Sequence, residues 1–282
     1  MEALNMEYTI HPISLVVIRR NKWCLLYPPS IQYQVDEEVW LPVNIWVLKG
    51  GGKTILVDTG LVAQEAMSVR KPKAKNVVGF VEGLRKIGVE IEDIDMVLMT
   101  HLHYDHVMHL PLLKNVPVVV QEDEVRFARE RHPVYGYAYN DKVQEIISNT
   151  KFTYVNGRTQ ILPGIELVPT PGHTRGGQAI VINTSAGKAV LSGGCAIREN
   201  YYPPVGLTDL PVITPANHYD AYTAYESAIF TKSLGDIVLP LHSVEVYSEN
   251  IEVMPPFPLC LTSTEPHKPF NGPDIPDKAE KK

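Results

Sequence analysis

Cysteine is scarce in this chain. Only Cys24, Cys195 and Cys260 are spread over 282 residues. An odd number at wide spacing does not make a disulfide framework and suggests a reducing compartment. No apolar run approaches the ~18–20 residues of a membrane span, so no membrane partner is expected. The stretch Met1 to Tyr8 lacks a basic segment followed by an apolar one, and no signal peptide is read there. The expectation is a cytoplasmic protein. Clustered positive charge is also missing, because the only basic run, Arg70-Lys71-Pro72-Lys73-Ala74-Lys75, is short and reads as a solvated surface loop. A formal net charge of −6 argues against a phosphate-binding surface, so no nucleic-acid partner is expected.

What is present is an ordinary globular composition, 44% hydrophobic and 21% charged, with strand-like apolar runs throughout. Ile13 to Ile18 and Val43 to Leu48 read as strands, and Gly50-Gly51-Gly52-Lys53 as a hairpin turn into Thr54 to Gly60. Val77 to Ile87 has helical periodicity and stops at Gly88. Val97-Leu98-Met99 and Val116 to Val120 read as strands, Glu122 to Arg131 and Val143 to Ser148 as helices. In the second half, Gly164 to Pro169, Gln178 to Ile182, Lys188 to Ser192 and Ile237 to Leu241 are strand-like. Ala216 to Leu234 reads as a helix ended by Gly235. Two such halves are compatible with an α/β protein whose two sheets pack face to face between helices. The segment 251–282 reads as a Pro-rich C-terminal arm after one large domain over 1–250, and the arm suggests a homo- or hetero-oligomer.

The chemistry is concentrated in Thr100-His101-Leu102-His103-Tyr104-Asp105-His106, straight after an apolar strand. Alternation along a strand ending here would send His101 and His103 to one side. Asp105 and His106 would follow on a turn or the first turn of a helix. Imidazole and carboxylate together suit zinc or a similar divalent metal, and four such groups in six residues exceed the needs of one ion with an open position. Two adjacent metals are the natural reading.

His-x-His-x-Asp-His after a hydrophobic strand resembles the signature of the metallo-β-lactamase-fold hydrolases, and the likeness extends over roughly residues 40–245. It implies an αββα sandwich with the metals at one edge of the sheets. Ile55 to Gly60 resembles the family's early strand and turn, whose Asp58 orients the histidine loop. Thr170-Pro171-Gly172-His173-Thr174 resembles the turn that presents a further ligand, and His242, after Pro240-Leu241, matches the last metal-binding histidine. The resemblance therefore implies two Zn2+, one on His101, His103 and His173, the other on Asp105, His106 and His242. Asp105 is the expected catalytic carboxylate as well as a ligand. The shared metals would lower the pKa of a water towards neutrality and so provide a nucleophile.

One segment departs from the family. Leu191-Ser192-Gly193-Gly194-Cys195-Ala196 places Gly194 where a metal-bridging aspartate is usual, which implies a weaker or absent second metal, solvent in the gap, or Cys195 swinging in as a thiolate. The spacing most resembles the N-acyl homoserine lactonase branch, in which a tyrosine three residues further on polarises the lactone carbonyl. Ile197 stands there, with Tyr201 and Tyr202 beyond it. Tyr135, Tyr137 and Tyr139 offer an aromatic lid over a small-molecule substrate, while Trp23, Trp40 and Trp46 read as core or interface residues. A lactone or ester hydrolase is expected. The alternatives are hydrolytic O-demethylation of a nitro-activated aryl methyl ether, as in a family member acting on dinitroanisole, and an inactive subunit supporting an active partner.

Overall fold

The apolar runs do form strands, and the two faces of each strand build the layers. The computed structural model describes residues 6–28, 37–70, 73–194 and 197–242. The strands are β1 (Thr9–Asn21), β2 (Leu26–Tyr27), β3 (Glu38–Gly50), β4 (Lys53–Val57), β5 (Ala74–Asn76), β6 (Met96–Leu98) and β7 (Val118–Gln121) in the first half. β8 (Phe152–Val155), β9 (Thr159–Leu162), β10 (Ile165–Pro169), β11 (Gln178–Thr184), β12 (Gly187–Ser192), β13 (Thr214–Pro215) and β14 (Ile237–Pro240) follow. A seven-stranded sheet has the order β5-β1-β3-β4-β6-β7-β8, and a five-stranded sheet the order β14-β12-β11-β10-β9. Both are mixed: β4, β6, β7 and β8 run parallel, as do β12 and β14, while the remaining neighbours are antiparallel.

Alternation assigns each strand residue to a layer. In β4, Ile55 and Val57 face the second sheet, whereas Leu56 faces the helices. Val97 and Leu98 divide the same way, as do Val118 and Val119. In the second sheet Ile180, Ile182, Leu191 and Leu239 point to the first, while Ala179, Val181, Val190 and Val238 pack outward in a cluster that includes Ala228 of the helix Ala221–Ser233. Three apolar interlayers thus separate helices, sheet, sheet and helix, which is the expected αββα sandwich. Trp46 is fully buried between the sheets, but Trp23 is exposed and is not a core residue.

Several boundaries differ from the sequence reading. The helix expected from Val77 begins at Phe80, because the Val77 N–H donates to Leu15 O and keeps that stretch beside β1. The helix expected from Ala216 begins at Ala221, where the Asp220 side chain accepts from Thr223 N and caps it. Residues 216–220 are instead a loop laid against the turn around His173, with Tyr219 N donating to Gly172 O. Within the basic run, Ala74–Asn76 is an edge strand on β1 rather than a loop. Strands β8 and β9 were not anticipated. The expected Pro-rich arm 251–282, the domain boundary at 250 and Cys195 lie outside the described residues. Among those residues no helix is long and apolar enough to cross a membrane.

Candidate metal centre

The carboxyl ends of the parallel strands converge on one edge. β4 ends at Val57 and delivers Asp58, and β6, its parallel neighbour in register Val57 to Leu98, leads into Thr100 to His106. From the other sheet, β10 leads to Thr170 and His173, β12 to Gly194, and β14 to His242. Crevices outside the carboxyl ends of strands are where open α/β sheets place their ligands.

The motif itself is not a strand end in the way its alternation suggested. β6 stops at Leu98, and His101 and His103 lie on the unpaired segment that follows, before the helical turn Tyr104–Val107 carries Asp105 and His106. They still come together: the His101 and His103 rings lie 4.6 Å apart edge to face, and each is 4.7 Å from the His173 ring. Gly172, at φ +124°, makes the turn that presents His173, and a Cβ there would fall 2.3 Å from Ala224 N. One group of possible metal ligands is therefore His101, His103 and His173, and a second is Asp105, His106 and His242. Within each group the ligand atoms lie within 4.8 Å of one another. The His101 and His106 rings, 4.1 Å apart, set the two groups side by side.

Hydrogen bonds decide which ring nitrogen points inward. A backbone carbonyl only accepts, so His173 Nδ1 carries the proton it donates to Asn217 O (2.5 Å), and His242 Nδ1 likewise donates to Pro42 O (2.8 Å). His106 Nδ1 donates to the buried carboxylate of Asp58 (2.8 Å). The single proton of the Thr100 hydroxyl is donated to Asp58 Oδ2 (2.7 Å), so the same hydroxyl accepts from His101 Nδ1 (3.1 Å). His101 Nε2 is then a bare, buried lone pair with no hydrogen-bond partner. An apolar or hydrogen-bonded core has no use for such an atom, whereas a metal ion does. Four imidazoles with Nδ1 protonated and Nε2 free for donation, plus Asp105, fit two divalent ions.

Electrostatics favours the same state. Burial, and then the neighbouring imidazoles, hold His101 well below its ordinary pKa; burial takes His173 down to about 4 and also lowers His242. His106 is the exception, because Asp105 and Asp58 outweigh its burial and raise it. Burial would raise Asp105, but His106, His242 and His103 outweigh that and hold it at about 2.

The remaining sequence candidates are placed as follows. Asp58 is fully buried at φ +56° and accepts from Thr100 N (2.8 Å), Thr100 Oγ1 and His106 Nδ1, so it orients the histidine loop. Gly194 lies near His173, and a Cβ there would meet only Thr170 O at 3.8 Å. Ile197 is buried with Leu26, Leu41 and Ile213, and Tyr201 is buried against the second sheet with its hydroxyl bonded to Ser192. Tyr135 and Tyr137 are tied to the loop beside His173, through His218 O and Asn217 Oδ1. Tyr139 is not part of a lid but is buried, its ring 5.0 Å from that of His103. Sequence reasoning missed Thr100, Asn217 and Glu124. Thr100 sits inside the motif, but neither of the other two has a local signal, since each acts on a ligand distant in sequence.

With this geometry in view, the match to known proteins is specific. Residues 39–236 match the model of the metallo-beta-lactamase superfamily. The chain belongs to that superfamily. An N-acyl homoserine lactonase of Bacillus sp is 30% identical over 181 residues, 60% of this chain and 70% of the relative. The N-acyl homoserine lactonase of Bacillus cereus is 28% identical over 225 residues, 75% of this chain and 82% of the relative. A solved N-acyl homoserine lactone hydrolase, with the product N-hexanoyl-L-homoserine at its catalytic metal centre, superposes with a TM-score of 0.65 at 20% identity. That superposition covers 84% of this chain and 94% of the other. This metallo-beta-lactamase superfamily member is a metal-dependent hydrolase.

Two predictions follow from the buried ligand set. In the metal-free protein, histidines with lowered folded pKa take up protons more readily once unfolded, so stability falls as pH drops from about 6.5 towards about 4. His106, being raised, works against this, but three histidines oppose one. Thermal melts of chelated protein across that range should show a falling Tm; a flat or rising one would count against the assignment. The second concerns Asp58→Asn, which keeps a residue tolerant of positive φ but puts an amide where Thr100 and His106 donate. Metal affinity should fall by about 10–100-fold in chelator competition.

Proposed function

We propose that this protein hydrolyses a lactone or ester of a small molecule with two Zn2+ held by His101, His103 and His173 and by Asp105, His106 and His242. The observation that carries the reading is the set of anchored Nδ1–H groups, which leaves Nε2 atoms converging with Asp105 at the ends of the strands. Bound there, a metal pair supplies a water of lowered pKa as nucleophile and a Lewis acid for the scissile carbonyl. The chain's own part is preorganisation. Asp58, Thr100, Asn217 and Pro42 hold the imidazoles in one tautomer, so no proton has to move before a ligand atom can donate. Asp105 stays ionised at working pH and serves as ligand and as acceptor that orients the attacking water. Tyr135 and Tyr137, tied to residues 217–218 beside the His173 loop, are the proposed substrate contacts. The lactonase names of the sequence relatives support the lactone over other carbonyl substrates.

The aryl-ether reading is carried by Ile197. Its side chain is enclosed by Leu26, Leu41 and Ile213, so no hydroxyl stands at the position expected to polarise a carbonyl. One panel separates the readings: an acyl homoserine lactone, an aryl ester, a thioester and a nitroaryl methyl ether, with metal content measured on the same preparation. Turnover of the lactone or ester, lost on chelation and restored by Zn2+, is expected. Cleavage of the ether alone would transfer the proposal to the second reading. Negligible zinc with no turnover would mark a supporting subunit instead.

Gly194→Asp tests the open position. A Cβ there meets only Thr170 O at 3.8 Å, and a carboxylate would add a negative charge beside His173. Tighter retention of the second metal and altered kcat are expected. Unchanged stoichiometry and kinetics would place residue 194 outside the reach of the metals.

A further inference from the structure

Glu124 lies on the first turn of the helix Glu122–Arg129, fully buried, in a place where a lone carboxylate is costly. Both oxygens are fully engaged. Oε1 accepts from the backbone N–H of Leu102 (2.9 Å) and from the Tyr139 hydroxyl (2.9 Å), and Oε2 accepts from the Thr174 hydroxyl (2.5 Å) and the Gly176 N–H (3.2 Å). The partners come from different parts of the chain. Leu102 is the residue between His101 and His103, Thr174 follows His173, and the Tyr139 ring packs on that of His103. Gly176 makes the approach possible, since a Cβ there would fall 2.0 Å from Glu124 N. No contact of this carboxylate faces the open edge of the site, so it touches neither substrate nor reacting atoms.

We propose that Glu124 is a positioning residue that clasps the His101–His103 segment to the His173 turn, so that the three-histidine group forms as one unit. The proposal rests on the two-metal reading above. Gln178, just past the His173 turn, ties the base of that turn to Thr100 O and Met99 O; beyond this base the two loops, which come from separate sheets, meet through the histidine rings and the Glu124 carboxylate. A carboxylate is needed because it accepts on both oxygens, whereas an amide offers one acceptor and one donor. In Glu124→Gln the amide oxygen would keep the shorter Leu102 bond, and its NH2 would oppose the Gly176 N–H and release the His173 turn.

The test uses Co2+ loading of the full chain, read by the visible d–d absorption and by chelator competition. Wild type should take up two equivalents. Glu124→Gln should hold one ion as wild type does and the other about 10–100-fold more weakly, with changed d–d bands. Thr174→Val, which removes one donor and keeps the carboxylate, should show a smaller loss at the same ion. A folded Glu124→Gln with wild-type affinities and spectrum would overturn the clasp. If that variant does not fold, a Thr174→Val protein with wild-type affinity and spectrum would overturn it equally. A wild-type chain that takes up no Co2+ would sink the two-metal reading and this proposal together, whereas normal uptake by every protein sinks this proposal alone.

Discussion

The site depends on one buried carboxylate. Asp58 sits immediately past the end of β4 with its backbone in the left-handed region, a conformation that costs energy in a residue with a side chain. That bend turns its carboxylate back onto the neighbouring strand's exit, where it accepts from the Thr100 amide and hydroxyl and from His106. Through the Thr100 hydroxyl its influence passes to His101. One side chain thus sets the protonated nitrogen of a histidine in each ligand group. A buried negative charge surrounded by three donors is stable, and it stays so only while all three keep their places.

The rest of the architecture brings the distant ligands to that pair. Parallel pairing of β4 with β6 and of β12 with β14 gives each sheet an edge at which chains leave in the same direction. Each sheet presents its leaving loops at the same end of the sandwich, and the Ile, Leu and Val side chains between them fix their relation. The backbone carbonyls of Pro42 and Asn217 complete the orientation of His242 and His173 from elements with no metal ligand of their own.

How much of this could be read beforehand varied with the range of the interaction. The layers were legible because alternation in β4, β6 and β12 is a local property of the chain. The six ligand-type residues were legible because His101 to His106 is dense and His173 and His242 sit behind recognisable turns. The route was partly wrong, since the histidine pair leaves from an unpaired segment and not from alternation in a strand. The loop 216–220 was read as helix because it runs straight into the helical stretch that follows; the Asp220 cap and the backbone bonds to the His173 turn set the helix start at Ala221. Glu124 and Asn217 were invisible because their partners lie 15 to 52 and 44 to 80 residues away.

The anchoring of the last ligand also orders events in time. Asn44 Nδ2 donates to Leu241 O across 197 positions, and Pro42 O receives His242. Among the described residues, strand β14 is the outer member of its sheet and pairs with β12 alone. During synthesis, then, the first sheet and the His101 to His106 segment are made long before their final partner emerges. The three-histidine group has its last ligand with residue 173 and its last anchor with Asn217, but the second group has only two of its donors until residue 242 appears. Completion of the centre is therefore a late event in the folding of these residues, tied to the addition of β14.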